Sequence, residues 1–276
     1  MNRIDFVFLD SGTGGVPYMQ MLKQREPNAR CAYLGDTVHF PYGEKTPKEV
    51  TECAKAAIEL IIKKWNPKVV VIACNTISVT ALSQLRTLFP ALPLIGTVPA
   101  IKLAAKVTKN KKIGLLATNA TVQHPYCQKL IEDFASDCSV FSRGDPDLIA
   151  FIEHNLFTAT EEDKIKAVTP ALDFFKQNDC DTIILGCTHF THVADVFARA
   201  AGSSIRIIDS RDGVSNQALK IESEASDSDQ LANGSYSDDV PDMSFFVTSA
   251  TKEEEFEYKE MCKNFGIPWG GIISLQ

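Results

Sequence analysis

The residues with the clearest capacity for chemistry are two cysteines in matched settings. Cys74 follows the apolar run VVVIA and precedes Asn75 and Thr76; Cys187 follows TIILG and precedes Thr188 and His189. Each apolar run reads as a buried strand, and the polar residues after it open a turn into a helix. A thiol at such a turn meets free backbone N–H groups that favour the thiolate and lower a pKa that starts at about 8.5. Either cysteine alone reads as a small buried hydrophobe. The pair, each followed by hydroxyl or amide groups suited to holding a carboxylate, is placed to act on one ligand.

Removing a proton from the carbon next to a carboxylate and returning one on the opposite face needs an acid/base group on each face, in opposite protonation states. Thiols suit this task because their pKa can be brought near working pH. The carbon acid is weak, so preorganised donors must stabilise the dianionic intermediate. Other chemistries fit parts of the pattern. Cys187, His189 and His192 resemble a zinc ligand set, but the C-x-x-C spacing common in structural zinc sites is absent. Cys187 with His189 fits a thiol hydrolase, which leaves Cys74 unexplained.

A third turn, FLDSGTGG, ends a strand at Asp10 and runs through Gly12, Gly14 and Gly15, whose N–H groups suit an anion. The dinucleotide fingerprint fails because its third glycine falls at Pro17, and a phosphatase pair fails because Gly12 stands where a second carboxylate is needed. The plainer alternative is a turn needing positive φ, with Asp10 as a helix cap. His39, His124, His154 and His192 read as surface or packed residues, His39 lying beside the PYG of Pro41–Gly43.

The elements that position these groups follow from periodicity. Strand-like runs (IDFVFLD, CAYLGD, VVVIAC, LPLIGT, KIGLLAT, CSVFSR, TIILGC, SIRIID and later MSFFVTSA) alternate with helical patterns at Lys48–Asn66, Asp163–Asn178 and Lys252–Phe265. That alternation predicts α/β architecture with mainly parallel sheets flanked by helices. The repeated Cys-ending strand predicts two similar lobes, residues 1–97 plus 210–276 and residues 98–209, with the active site in the cleft between them. Residues 222–242 hold seven acids and no base and almost no large apolar residue, so a long mobile surface loop is expected there.

The 276 residues, 45% of them hydrophobic, can build such a core. Net charge is −7, all of it accounted for by that acidic stretch, and no basic stripe suggests nucleic acid; the KNKK run at 109–112 reads as a solvated turn. No leader-like start and no membrane-length apolar run is seen, so a cytoplasmic protein is expected, without membrane partners. The eight cysteines, lacking C-x-x-C pairs, read as reduced thiols; besides Cys74 and Cys187, those at 31, 53, 127, 138, 180 and 262 are taken as structural.

The ordered motifs DSGTGG, PYG, ACNT, ATNATV (117–122), FIEH (151–154) and GCTH (186–189) resemble the cofactor-independent aspartate/glutamate racemase family, and within it the branch acting on glutamate. The resemblance implies that Cys74 takes the α-proton from D-glutamate and Cys187 from L-glutamate, with Asp10 assisting Cys74 and His189 assisting Cys187. It maps substrate-binding positions onto Ser11, Tyr42, Gly43, Asn75, Thr76, Thr118, Thr121 and Thr188, and places Glu153 near the ammonium and His189. No cofactor or metal is implied, and the biological role implied is D-glutamate supply for peptidoglycan. The alternatives kept are another acidic amino acid such as aspartate, or a Cys/His hydrolase. Residues after ACNT and GCTH and the approach to Glu153 differ from the family pattern, which touches the pocket edges. Apart from the small-molecule substrate, a homodimer is the assembly considered, with contacts the resemblance does not carry over. Met1 lies close to the first strand, so precursor activation of the kind some relatives show is not expected.

Overall fold

Continuous apolar runs suit strands buried on both faces of a parallel sheet, and the strands Phe6–Asp10, Cys31–Gly35, Val69–Ile72, Thr182–Leu185 and Ser244–Val247 are buried throughout. The computed structural model describes residues 4–226 and 240–275. The chain divides into two compact units, Met1–Thr97 with Arg211–Gln276, and Val98–Ser210.

The first unit holds β1 (Phe6–Asp10), β2 (Cys31–Gly35), β3 (Val69–Ile72), β4 (Leu94–Gly96), β9 (Ser244–Val247) and β10 (Trp269–Ile272), in the order β10-β9-β2-β1-β3-β4. The second holds β5 (Lys112–Ala117), β6 (Ser139–Gly144), β7 (Thr182–Leu185) and β8 (Arg206–Ile208), in the order β6-β5-β7-β8. Every pairing is parallel. Four strands of the first sheet (β2-β1-β3-β4) and the four of the second thus repeat one order, and β3 and β7, which precede the two cysteines, occupy equivalent places.

The helices begin where side chains can satisfy orphan N–H groups. Capping boxes Thr46–Glu49, Thr160–Asp163 and Thr251–Glu254 open helices Pro47–Trp65, Glu161–Gln177 and Lys252–Phe265, and left-handed Asn66 and Gly266 close the first and last. Val50, Ala54, Ala57, Ile58 and Ile61 recur at helical spacing and pack with Val7, Leu9, Val70 and Ile72 in the first core. The second unit's core gathers Ile113, Leu115, Ala117 and Ile184 with Ile101, Ala104 and Cys127.

Three expectations need amendment. The acidic stretch does not begin as a loop, because helix Arg211–Ser226 runs five residues into it, with Glu222 paired to Lys68 at 2.7 Å; residues 227–239 lie outside those described. The turn containing Lys109 is more than solvated: Asp181 accepts the N–H groups of Lys109 (2.6 Å) and Asn110 (2.9 Å) and the Thr108 hydroxyl (2.6 Å). β10, a half-exposed strand with two glycines, was not expected, since Gly-rich runs carry little strand signal.

Gly114 of β5 shows how closely helix and sheet approach: a Cβ there would lie 2.5 Å from Cδ1 of the Phe175 ring. Gly114→Ala should therefore cost about 1–3 kcal/mol in urea unfolding. Phe175→Leu in the same chain should recover part of that loss, so the double variant is more stable than the sum of the singles implies.

Candidate active site

In an open parallel sheet, ligands sit outside the carboxyl ends of strands where neighbouring connections diverge. β1 and β3 in one unit, and β5 and β7 in the other, are such neighbours. Most of the candidate residues stand at these four strand ends; Tyr42 and Gly43 follow β2, and Glu153 lies on helix Pro146–His154.

In the first unit, β1 delivers Asp10, fully buried, whose Oδ1 accepts the N–H of Ser11 at 2.6 Å. β3 leads through Ala73 to Cys74, which has extended backbone (φ −140°, ψ 118°) and starts the short helix Asn75–Thr80. Cys74, Asn75 and Thr76 are all buried. Both polar atoms of the Asn75 amide are buried without a hydrogen-bond partner. Leaving a buried donor or acceptor unpaired costs about 1–3 kcal/mol, which makes this amide a candidate to meet a ligand's polar groups. Ser78 ties the segment to β4 by donating to Ile72 O (3.3 Å) and accepting from Thr97 N (2.8 Å).

Tyr42 and Gly43 open the 3-10 turn Tyr42–Glu44. The Tyr42 hydroxyl donates to the buried Asp36 carboxylate, so what this residue can offer a ligand is its backbone. Burial, reinforced by the Asp36 charge, pushes the phenol well above its usual range and keeps it a donor. Asp36 also meets His39 Nδ1 (2.8 Å) and accepts from the Thr248 hydroxyl (3.0 Å). Sequence reasoning missed Asp36, although it ends the run CAYLGD as Asp10 ends IDFVFLD; a second strand-ending aspartate was the available signal.

In the second unit, β7 leads to Cys187, again buried and extended (φ −126°, ψ 139°), starting the 3-10 helix Thr188–Val193. Its Sγ lies 3.8 Å from His189 Nδ1, and His189 Nε2 lies 2.9 Å from Glu153 Oε2. Glu153 is 2% exposed on helix Pro146–His154, so it is no solvated helix charge. Burial opposes a charge on His189, but its hydrogen bonds to Cys187 and Glu153 and their negative charges outweigh it and raise the imidazole well above its usual value. His189 thus sits between a carboxylate and a sulfur with its imidazole held above its usual value, a setting in which a cysteine can work as a base. At the end of β5, Thr118 caps the next turn by accepting from Thr121 N (3.0 Å) and donates to Thr121 Oγ1 (2.9 Å). Thr121 and Thr188 are buried too. His192 packs edge-on against Phe157, ring centroids 5.7 Å apart.

A cavity of about 520 Å³ between helices Pro146–His154 and Glu161–Gln177 is a separate feature of this unit. Much of its charge is met from within: Arg143 Nε pairs with Asp145 (3.0 Å) and Asp163 caps at Thr160.

Residues 18–216 match the family model for Asp/Glu/Hydantoin racemase. Glutamate racemase of Treponema pallidum is 34% identical over 274 residues, 99% of this chain and 98% of that protein. That of Actinobacillus pleuropneumoniae serotype 5b is 37% identical over 217 residues, 78% and 81% of the two chains. Among solved structures, Escherichia coli glutamate racemase, with L-glutamate and the activator UDP-MurNAc-Ala, superposes with TM-score 0.83 at 27% identity, covering 100% of both chains. The Bacillus anthracis RacE1 isoform gives 0.75 at 26% identity, covering 98% and 97%.

The raised His189 value carries a stability prediction. Its contribution is fully present below the unfolded imidazole value of about 6.5 and is lost as pH rises through the higher folded value. Glu153→Gln removes one of the charges holding the proton. In thermal melts from about pH 6 to about pH 9, the loss of stability should set in at lower pH in the variant than in the parent.

Proposed function

Because this chain belongs to the Asp/Glu/Hydantoin racemase family, we propose that it is an isomerase interconverting L- and D-glutamate by two-base α-proton transfer. The observation that carries this reading is the matched pair of cysteines: Cys74 and Cys187 leave equivalent strands of a four-strand order that both sheets contain, both buried and both extended. A hydrolase has no use for the second one.

In the direction from D-glutamate, Cys74 as thiolate removes the α-proton and Cys187 as thiol supplies one to the opposite face; from L-glutamate the roles exchange. Asp10 assists proton movement at Cys74. His189, aligned by Glu153, does so at Cys187, and Glu153 also favours the substrate ammonium. The dianionic intermediate takes its stabilisation from donors fixed before the reaction begins, which need no reorganisation as charge develops. We assign that work to the hydroxyls of Ser11, Thr76, Thr118, Thr121 and Thr188, to the Asn75 amide, and to the backbone of Tyr42 and Gly43. No electron-sink cofactor is invoked, since each thiol handles one face of the carbon. The biological reading is a cytoplasmic enzyme, working as a homodimer, that supplies D-glutamate for peptidoglycan.

Purified protein incubated in deuterated buffer with L-glutamate, and separately with D-glutamate, should lose the α-proton signal by NMR while circular dichroism converges on zero from both sides. Cys74→Ala and Cys187→Ala should each abolish racemisation. With Cys74→Ala, one-sided exchange of L-glutamate through Cys187 should survive. Unchanged racemisation in Cys74→Ala overturns the two-cysteine mechanism, a parent protein that exchanges neither glutamate nor aspartate points to the hydrolase, and exchange of aspartate alone reassigns the substrate.

A further inference from the structure

The Gly-rich turn after β1 has to hold Asp10 and Ser11 still, yet Gly12, Gly14 and Gly15 bring no side chains to do it. Helix Val16–Arg25, which follows, has Gly15 as its N-cap and receives no side-chain cap. One tie comes from β2. Tyr33, fully buried, donates its hydroxyl proton to Gly12 O at 2.8 Å and accepts the Gly15 N–H at 2.9 Å. One oxygen thereby bridges the two ends of the turn's glycine segment. A phenylalanine would fill the same apolar space, so packing does not account for the hydroxyl.

The turn so held is pressed against the exit of β3. A Cβ on Gly15 would lie 2.5 Å from Ala73 Cβ, 3.1 Å from the Tyr33 hydroxyl and 3.2 Å from Ala73 O. Ala73 immediately precedes Cys74, and its N–H donates to Leu9 O at 2.8 Å, immediately before Asp10. The Tyr33 hydroxyl therefore sits where the backbone leading from Asp10 meets the backbone leading to Cys74. The ring is itself supported, since Phe245 of β9 stacks on it with centroids 5.0 Å apart and planes 26° apart. Phe245 in turn packs on Tyr258 of the last helix (5.7 Å) and Trp269 of β10 (6.0 Å).

We infer that Tyr33 is a positioning residue for proton transfer at Cys74, its hydroxyl setting the Asp10 turn against the Cys74 strand end and its ring braced by the C-terminal aromatic cluster. This rests on the racemase reading. Tyr33 touches no substrate in this account; it acts through the turn.

Tyr33→Phe keeps the ring and removes the tie. Small misplacement of reacting groups is costly, and kcat should fall about tenfold. The two enantiomers have equal free energy, so kcat/KM must fall equally in both directions, and the discriminating readout is isotopic. If proton transfer at Cys74 becomes slower relative to that at Cys187, the primary effect of α-deuterium on kcat/KM should rise with D-glutamate, whose proton Cys74 removes. It should fall with L-glutamate, whose proton Cys187 removes. Phe245→Leu, which loosens the ring but keeps the hydroxyl, should give the same asymmetry more weakly, and it carries the test should Tyr33→Phe not fold. Isotope effects that stay at parental values, or move together for both enantiomers, overturn the inference even if activity drops. A parent protein that racemises no glutamate overturns the functional reading instead.

Discussion

A parallel strand cannot turn straight back; the chain must leave its carboxyl end, cross the sheet through a helix and return to the starting edge. Consecutive strands within each unit are joined in this way, and it collects the strand exits of each unit along one edge. Asp10, Asp36, Cys74 and Thr97 emerge along one such edge, and Thr118 and Cys187 along the other. The central strands behind them are apolar and paired on both sides, so the exits are the places where polar groups can stand without breaking the ladder.

The polar groups that do stand there show how buried charge is kept tolerable. An isolated buried charge is very costly, and a paired, hydrogen-bonded one is not. Glu153 and His189 solve the problem as a pair, while Asp36 collects a phenol, an imidazole and a hydroxyl. The two solutions differ in what they leave available. The Glu153–His189 pair turns the Nδ1 edge of its imidazole to Cys187, whereas the hydrogen bonds of Asp36 shape the turn around Tyr42.

Much of this was legible in the sequence because the signals were strong. VVVIAC and TIILGC are unambiguous buried strands, and a polar residue directly after each marks the edge where they stop. The long helices were readable from apolar spacing, while the Thr-x-x-Glu and Thr-x-x-Asp caps that fix their first residues were an unread signal. Less was visible where one residue type serves two purposes. Nothing in the letters distinguishes a tyrosine that presents its hydroxyl to a ligand from Tyr42, whose hydroxyl is taken by Asp36, a contact set by three-dimensional proximity. Tyr33 reads simply as part of an apolar strand, and its hydroxyl's bridging of Gly12 and Gly15 depends on β1 and β2 lying side by side. Helix Arg211–Ser226 continues into acidic sequence because Lys68, more than 150 residues away along the chain, meets Glu222, a partner that local composition does not reveal.

On the proposed reading, the Asn75 amide gives this site a means of choosing by exclusion. A ligand that reaches it with both an acceptor and a donor completes a hydrogen-bonding pair that the protein leaves open. A molecule of the same size with a methyl group in that place excludes water and supplies nothing, so the donor and acceptor stay stranded. Rejection through stranded polar groups is far steeper than rejection through a poorly filled apolar pocket. Discrimination against near-isosteric apolar acids would then follow from one side chain already held in the buried turn beside Cys74, with no need for a second, corrective step.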